Sequence, residues 1–292
     1  MFRRKRFRVH LRSRILILGE RTLVMGVLNI TPDSFSDGGK YLDSETAIAR
    51  GLHLEKEGAD ILDIGGESTR PGASPITAEE ELRRILPVIK VLHGKLRIPI
   101  SVDTRRADVA EAALDAGAEI LNDVSGLRMD LRLGDVARRG HAPLILMHMR
   151  GAPETMQRGP FARDVIRDVL AGLRAALARA KRAGLTKTQL LLDPGIGFGK
   201  KYEQNFEILA RLPELAALGC PIVIGTSRKA FLGKALGGSG GPSVPPDQRL
   251  LGTAATVTAS ILGGAHIVRV HDVAEMLQVV RVTDHVLKNS RN

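Results

Sequence analysis

The sequence contains no tryptophan, a single cysteine and very few aromatic residues. Phenylalanine, tyrosine and tryptophan make up 3% of its 292 residues, so aliphatic side chains must form the interior. The lone Cys220 excludes an internal disulfide, and we expect a core thiol in a reducing compartment. No apolar run approaches the roughly 18 residues that a membrane span needs, and no signal-peptide pattern is present. We therefore expect a cytoplasmic protein with no membrane partner.

Acidic residues are missing from Met1–Arg14, a segment that carries seven Lys or Arg residues. The formal net charge of the whole chain is +11, so this segment holds most of the excess and leaves +4 for the remainder. A basic terminus could be a nucleic-acid-binding tail or a transit peptide. We favour a solvated terminus that leads into a short extra strand at Ile15–Leu18. Because the chain has few aromatic residues on which bases could stack, we expect no nucleic-acid partner. Residues 1–22 are assigned to this N-terminal extension, which we predict to be a short strand or a hairpin.

Beyond the extension, apolar strand patterns and helical patterns alternate eight times without a break in composition. The strands are predicted at Val24–Ile30, Ala59–Ile64, Ile98–Val102, Glu119–Leu121, Pro143–Met147, Gln189–Leu192, Pro221–Ile224 and Ala265–Val268. Eight such units are typical of a (β/α)₈ TIM barrel, which we predict as one catalytic domain over residues 23–292. A doubly wound open sheet is the alternative, but no GxGxxG motif follows the first strand.

Two features interrupt the regular alternation late in the chain. The helical pattern at Asn205–Leu218 contains Pro213, and we expect a break there. The stretch Gly237–Pro246 is rich in Gly, Ser and Pro, and we predict a mobile linker before a helix at Arg249–Leu262.

Polar residues follow most of the predicted strands, at the end where barrels of parallel strands hold their ligands. They are Asn29, Asp103, Asn122, Asp193, Lys229, Arg269 and His271. One such residue is most often a helix cap or a structural hydrogen bond, since an unpaired polar group costs several kcal/mol when buried. Seven of them around one barrel mouth predict a ligand site.

The chemistry of these residues indicates which classes of ligand the site could bind. Asp103, Asn122 and Asp193 suit a flat, nitrogen-rich heterocycle with an aminopyrimidine edge, because its donors pair with carboxylates. Lys229, Arg269 and His271 are cationic donors that suit phosphate or a ring carbonyl, and no Cys/His cluster is present for zinc. Asn29 and the polar loop after it offer hard oxygen ligands for Mg²⁺ bridging phosphate oxygens.

Several long motifs are similar to those of the dihydropteroate synthases. The signature stretches are GVLNITPDSFSDGG at Gly26–Gly39 and DIGGESTRPGA at Asp63–Ala73. Shorter motifs follow in the same order: SVDT at 101–104, NDVSG at 122–126, LMHM at 146–149, DPGIGFGK at 193–200, GTSRK at 225–229 and VRVHD at 268–272. The resemblance covers nearly all of Leu23–Leu287, and motifs of this length and order are specific.

The resemblance implies the condensation of 6-hydroxymethyl-7,8-dihydropterin diphosphate with para-aminobenzoate, which yields 7,8-dihydropteroate and pyrophosphate. It implies roles for residues in three groups: Asp103, Asn122, Met147, Asp193, Phe198 and Lys229 for the pterin; Asn29, Arg269 and His271 for the diphosphate; Phe35, Thr69, Arg70, Pro71 and Ser227 for para-aminobenzoate. Asn29 would also ligate Mg²⁺, and the catalytic set would be Asp37, Asp103, Lys229 and Arg70. Lys200 is left outside the site, and His148 is as readily structural as functional.

The implied displacement is dissociative, with Asp37 or Asp103 stabilising a pterin-methyl cation and loop closure excluding water. We expect a homodimer formed through apolar faces of the late helices. Two alternatives remain: a pterin-dependent methyltransferase barrel, which would have no use for the TPDSF and STRPG loops, and a non-catalytic pterin-binding paralogue.

Overall fold

Eight parallel strands form the centre of the molecule. The computed structural model describes residues 4–30, 40–68, 74–152, 155–238 and 241–290. Within these ranges the barrel strands are β3 (Leu23–Asn29), β4 (Ile61–Gly65), β5 (Ile100–Asp103), β6 (Ile120–Asp123), β7 (Leu144–Met147), β8 (Leu190–Asp193), β9 (Val223–Ile224) and β10 (Ile267–Val270). Their order is β8-β7-β6-β5-β4-β3-β10-β9, and a parallel bridge between Leu192 and Ile222 joins the two ends. The predicted (β/α)₈ barrel is confirmed.

Helices cover the outside of the barrel. Those in the described ranges are α1 (Lys40–Lys56), α2 (Ala78–His93), α3 (Ala107–Asp115), α4 (Arg132–Arg139), α5 (Val165–Arg182), α6 (Tyr202–Ala210), α7 (Ala230–Leu236), α8 (Leu250–Leu262) and α9 (Val273–Asn289). Side-chain caps start two of them: Thr77 accepts from the backbone N–H of Glu80 at 3.2 Å, and Asp164 from that of Arg167 at 2.9 Å. None of the helices in the described part of the chain combines the length and the apolar composition that a bilayer crossing requires.

The predictions for the late helices have different outcomes. The expected break near Pro213 is confirmed, because α6 ends at Ala210 and Leu212–Leu218 continues as a 3₁₀ helix. Helix α7 was not predicted, since its seven residues include Gly233 and lie between a polar motif and a Gly/Ser/Pro stretch. Part of the predicted linker, residues 239–240, lies outside the described residues.

The N-terminal extension closes the amino end of the barrel. Strands β1 (Phe7–His10) and β2 (Ile15–Leu18) pair antiparallel, so the predicted extra strand is one half of a hairpin. Val9, Leu11 and Leu18 of this hairpin are buried and belong to one cluster with barrel residues. The barrel members of this floor cluster are Leu23, Met25, Ile61, Ile120, Ile145, Leu191, Val223 and Ile267. The opposite, carboxyl end of the strands carries the polar residues.

The first described residue departs from the solvated terminus that we expected. Arg4 is buried, and its guanidinium donates to the backbone oxygen of Ala265 at 3.1 Å and to Oδ1 of Asp284 in α9 at 2.6 Å. The same group also donates to the hydroxyl of Thr22. A buried guanidinium requires such partners, so this basic residue belongs to the folded structure.

Candidate active site

The polar residues at the strand ends converge on two adjoining cavities. The smaller, inner cavity of about 60 Å³ is lined by Asp103, Asn122, Val124, Met147, Asp193, Phe198, Gly225, Ser227, Lys229, Arg269 and His271. The larger, outer cavity of about 660 Å³ shares six of these residues and adds Asn29. Every described residue to which the sequence gave a role in the site therefore lines one of the two cavities. Phe35, Asp37, Thr69, Arg70 and Pro71 lie outside the described residues.

A buried ion-pair network crosses the barrel between these strand ends. The Arg269 guanidinium on β10 donates from Nε to Oδ2 of Asp63 at 2.6 Å and from its NH2 group to Oδ2 of Asp103 at 2.9 Å. The Asn122 amide on β6 donates to the same Asp63 oxygen at 3.1 Å. Four strands thus contribute to one network, which fixes the orientation of Asp103, Asn122 and Arg269 toward the cavities.

The two carboxylates of this network retain unused acceptor capacity. Oδ1 of Asp63 and Oδ1 of Asp103 are buried and have no hydrogen-bond partner among the described residues. Burial raises the pKa of Asp103 to about 7; the Asp63 charge acts in the same direction and Arg269 opposes it. Because Asp103 lines both cavities, its unpaired oxygen is suited to accept a hydrogen bond from a ligand N–H group.

Asp63 was missed as a site residue although it lies within a quoted motif. It is fully buried in the centre of β4, whose sequence is ILDIG. A lone carboxylate inside an apolar strand is the signal that could have identified it, because such a group needs a buried partner. Its partner, Arg269, is 206 residues away in the sequence.

The loop after β8 is built around Asp193 and three glycines. Oδ1 of Asp193 accepts from the backbone N–H of Gly195 at 2.6 Å, and burial raises the pKa of Asp193 while Lys229 opposes this shift. Gly195 has φ of 68°, and a Cβ atom there would lie 1.9 Å from the backbone oxygen of His148. Glycine is therefore required for the close approach that places Phe198 on the cavity wall.

Lys229 and Ser227 follow β9, the strand next to β8, and line the inner cavity together with Asp193. The Lys229 ammonium donates to the backbone oxygen of Ile196 and lies 4.4 Å from the centroid of the Phe198 ring. Burial lowers the pKa of Lys229 to about 8, although Asp193 acts against this shift. Oγ of Ser227 accepts from the backbone N–H of His271 at 3.2 Å and lies 3.0 Å from its Nδ1 atom. This wall presents cationic and hydroxyl donors to the shared part of the cavities.

Asn29 lies at the end of β3 on the wall of the outer cavity. A Cβ atom on Gly65 would lie 3.7 Å from Oδ1 of Asn29 and 3.5 Å from Cβ of Asp103, so glycine separates the two side chains. Among the described residues, no group of three His, Cys, Asp or Glu side chains could hold a metal ion. One amide oxygen fits Mg²⁺ only where substrate oxygens and water complete the octahedron.

Lys200, which was left outside the site on the basis of sequence, is 3% exposed and lies in the wall of the outer cavity. It donates to Nδ1 of His148 at 3.0 Å and to the backbone oxygen of Phe198 at 3.1 Å. Its position depends on the path of the glycine-rich loop after β8, which brings the Lys200 ammonium to His148.

Comparison with known proteins decides the family. The model of the pterin binding enzyme family matches residues 25–271. A dihydropteroate synthase from Synechocystis sp. is 48% identical over 266 residues, which cover 91% of this chain and 90% of the relative. The chain belongs to the dihydropteroate synthase family.

Solved structures of dihydropteroate synthases have the same fold. The Clostridium difficile enzyme, crystallised in the presence of pteroic acid, has a TM-score of 0.86 and 46% identity, covering 92% of this chain and 98% of its own. The Xanthomonas albilineans enzyme with 4-aminobenzoic acid has a TM-score of 0.89 and 43% identity, covering 97% and 99%. In both cases the match covers nearly the full length of the solved chain, as the order of the motifs in the sequence predicts.

Proposed function

We propose that this chain condenses 6-hydroxymethyl-7,8-dihydropterin diphosphate with para-aminobenzoate to form 7,8-dihydropteroate and pyrophosphate. The observation that carries this proposal is the pairing of the two cavities. The inner cavity holds the carboxylates of Asp103 and Asp193 and the Asn122 amide beside Lys229 and Arg269. The lining of the outer cavity contains more Lys and Arg residues than carboxylates and reaches Asn29. A pterin diphosphate has a matching arrangement, because its ring carries hydrogen-bonding groups at one end and its diphosphate carries negative charge at the other.

The pterin would occupy the inner cavity. Its aminopyrimidine edge presents N–H donors and ring acceptors, which match the carboxylates of Asp103 and Asp193 and the amide of Asn122. Lys229 would donate to a ring acceptor or carbonyl. Met147 and Phe198 would contact the two faces of the ring, and stacking on the aromatic side chain favours a flat heterocycle.

The diphosphate would extend toward Arg269, His271 and Asn29. Arg269 presents charge-assisted donors, and Asn29 would hold Mg²⁺ together with diphosphate oxygens and water. The ion would supply neutralisation of the negative charge that develops on the leaving group. MgCl₂ titration of the diphosphate complex, compared between the wild type and Asn29→Ala, tests this assignment.

Para-aminobenzoate would bind at the mouth, where Ser227 can donate to its carboxylate. Phe35, Thr69, Arg70 and Pro71 would enclose its ring, as in the sequence-based expectation. Its amine would then face the methylene carbon of the bound pterin. Ser227→Ala is expected to raise KM for para-aminobenzoate more than KM for the pterin substrate.

The proposed placement of cationic groups near the diphosphate and carboxylates near the pterin favours a dissociative displacement. The bond between the pterin methylene carbon and the diphosphate oxygen breaks first, and the electron pair leaves with pyrophosphate. The resulting cation is conjugated with the pterin, and Asp37 or Asp103 would stabilise it electrostatically. The neutral arylamine attacks this carbon, and its nitrogen then loses a proton to the released pyrophosphate. Lys229 would hold the pterin and Arg70 would hold the arylamine. Exclusion of water is needed because water would convert the cation into the alcohol.

The exposed apolar side chains of the late helices bear on how the chain assembles. We infer a homodimer, because α8 and α9 expose apolar side chains such as Leu251 and Val282, at 78% and 66%. Sedimentation of the wild type and of Leu251→Glu with Val282→Glu tests it, with a change to monomers expected. A cytoplasmic location is consistent with the single buried thiol of Cys220.

The decisive experiment is pyrophosphate release from the pterin diphosphate with para-aminobenzoate present and then omitted. We expect release that depends on the arylamine, and formation of dihydropteroate in equal amount. Asp193→Asn should reduce kcat/KM for the pterin substrate by at least about tenfold, the scale of one charge-assisted hydrogen bond. Asp115→Asn is the matched control, since Asp115 is exposed on α3. Pterin binding without pyrophosphate release would instead indicate a non-catalytic paralogue.

A further inference from the structure

A row of three ionisable side chains runs from the wall of the outer cavity to helix α5. The ammonium of Lys200 lies 3.0 Å from Nδ1 of His148, and Nε2 of the same imidazole lies 3.5 Å from Oδ2 of Asp168. Lys200 and His148 are buried, while Asp168 on α5 is partly exposed and also pairs with Arg150 at 2.8 Å. The row joins the cavity wall, the end of β7 and a covering helix, and none of its members takes part in the reaction proposed above.

The hydrogen-bond roles along this row are fixed by chemistry. An ammonium group can only donate, so Nδ1 of His148 accepts and the ring proton resides on Nε2, which faces Asp168. Burial lowers the pKa of His148 to about 2, with the Lys200 charge acting in the same direction, so the imidazole is neutral. Gly172 on α5 leaves the space for the ring, because a Cβ atom there would lie 2.3 Å from Cδ2 of His148.

The remaining donors of Lys200 fasten the loop that forms the wall of the inner cavity. They reach the backbone oxygens of His148 and Phe198, each at 3.1 Å. The same loop carries the Ile196 carbonyl that accepts from Lys229, and the Phe198 ring lies 4.4 Å from the Lys229 ammonium. Lys200 thereby determines the position of Phe198 directly and that of Lys229 through the loop.

Burial of an ammonium group in a cavity wall costs free energy unless each of its N–H donors has a hydrogen-bond acceptor. Burial lowers the pKa of Lys200 to about 7, while Asp193 acts against this shift. The three donors of Lys200 meet three acceptors, so the group is fully satisfied. Such a residue holds backbone in a defined geometry rather than contributing packing alone.

We propose that Lys200, oriented by His148 and Asp168, is a positioning residue that sets Phe198 and Lys229 against the pterin ring. The proposal depends on the proposed function, because the pterin is the ligand whose binding it adjusts. It assigns no contact between Lys200 and substrate. Loss of the row is therefore expected to raise KM for the pterin substrate and to leave KM for the arylamine unchanged.

The test compares KM for each substrate in the full-length chain. Lys200→Met and His148→Leu are each expected to raise KM for the pterin diphosphate by between about tenfold and about a hundredfold, the scale of a misplaced binding group. KM for para-aminobenzoate, measured at saturating pterin diphosphate, should not change. His148→Asn should restore most of the loss, since its amide oxygen lies close to where Nδ1 of the histidine lies and accepts from Lys200.

His266→Leu is the matched control. His266 is a buried histidine at the opposite end of the barrel, bonded to the backbone N–H of Ile222 at 3.1 Å and lying 3.0 Å from the backbone oxygen of Lys5. A similar loss of thermal stability with both KM values unchanged is expected for it. If His148→Leu or Lys200→Met does not fold, Asp168→Asn makes the same comparison, because it removes the negative charge 3.5 Å from Nε2 of His148 and keeps the side-chain shape.

The outcomes separate the two proposals. No arylamine-dependent pyrophosphate release by the wild type would overturn the proposed function. An active wild type with unchanged pterin KM in Lys200→Met and Asp168→Asn would overturn the positioning role. Equal increases in both KM values, without rescue by His148→Asn, would also overturn it, because that result indicates general loss of structure.

Discussion

Nε of Arg269 lies 2.6 Å from Oδ2 of Asp63, a carboxylate with no exposed surface. Removal of one partner of a buried ion pair leaves the other charge uncompensated, at a cost of about 3–5 kcal/mol. We therefore expect Asp63→Ala to lower the free energy of unfolding by this amount, measured by urea denaturation, and to reduce kcat/KM for the pterin diphosphate. Arg21→Gln is the control, because the exposed Arg21–Asp60 pair should contribute no more than about 1 kcal/mol. Equal costs for the two variants would contradict the role of Asp63.

Asp103 should make stability depend on pH in an unusual direction. Its pKa is raised by burial to about 7 in the folded chain and is about 4 in the unfolded chain. Between these values the folded state holds a proton that the unfolded state has lost, so the contribution of Asp103 to stability decreases as pH rises. Asp103→Asn removes this dependence, and its free energy of unfolding relative to the wild type should increase from pH 4 to pH 7. A difference that stays constant over this range would count against the raised pKa.

Lys229 should give the reaction an alkaline limb. Burial lowers its pKa to about 8, so the ammonium that is proposed to hold the pterin loses its proton above that pH. We expect kcat/KM for the pterin diphosphate to fall above about pH 8, whereas Lys229→Arg, which keeps its charge, should lack this limb. The exposed Lys181 on α5 supplies the control Lys181→Arg, which should retain the wild-type profile. A limb that persists in Lys229→Arg would show that another group titrates.

The floor cluster should affect stability without affecting catalysis. Leu18 is fully buried there, and Leu18→Ala is expected to cost about 2–5 kcal/mol. The neighbouring Ile17 is 38% exposed on the same strand, so Ile17→Ala should cost much less. Both variants should retain the wild-type KM values, because the cavities lie at the other end of the strands. A raised KM in Leu18→Ala at a temperature where it is folded would contradict this separation.

Periodicity and turn signals were sufficient to predict the barrel. Apolar runs bounded by Gly, Pro and polar residues mark each strand, and the strand ends then place Asp103, Asn122, Asp193 and Arg269 at one mouth. This follows because parallel strands share a direction, so residues far apart in sequence must meet.

The parts that escaped prediction depend on contacts across the chain. Asp63 needed knowledge of its distant partner Arg269, since an acidic residue in an apolar strand does not reveal what pairs with it. Lys200 lies in the cavity wall because the glycine-rich loop bends back on His148, and sequence spacing does not give that path. Burial of Arg4 depends on Asp284, 280 residues away.

The hairpin at the base of the barrel has a kinetic consequence. Val9, Leu11 and Leu18 close the amino end of the barrel. Both substrates of the proposed reaction would therefore enter at the carboxyl end of the strands. Under the proposed function the pterin diphosphate would bind in the inner cavity before para-aminobenzoate binds in the outer one. We therefore expect an ordered reaction, in which excess para-aminobenzoate inhibits binding of the pterin substrate.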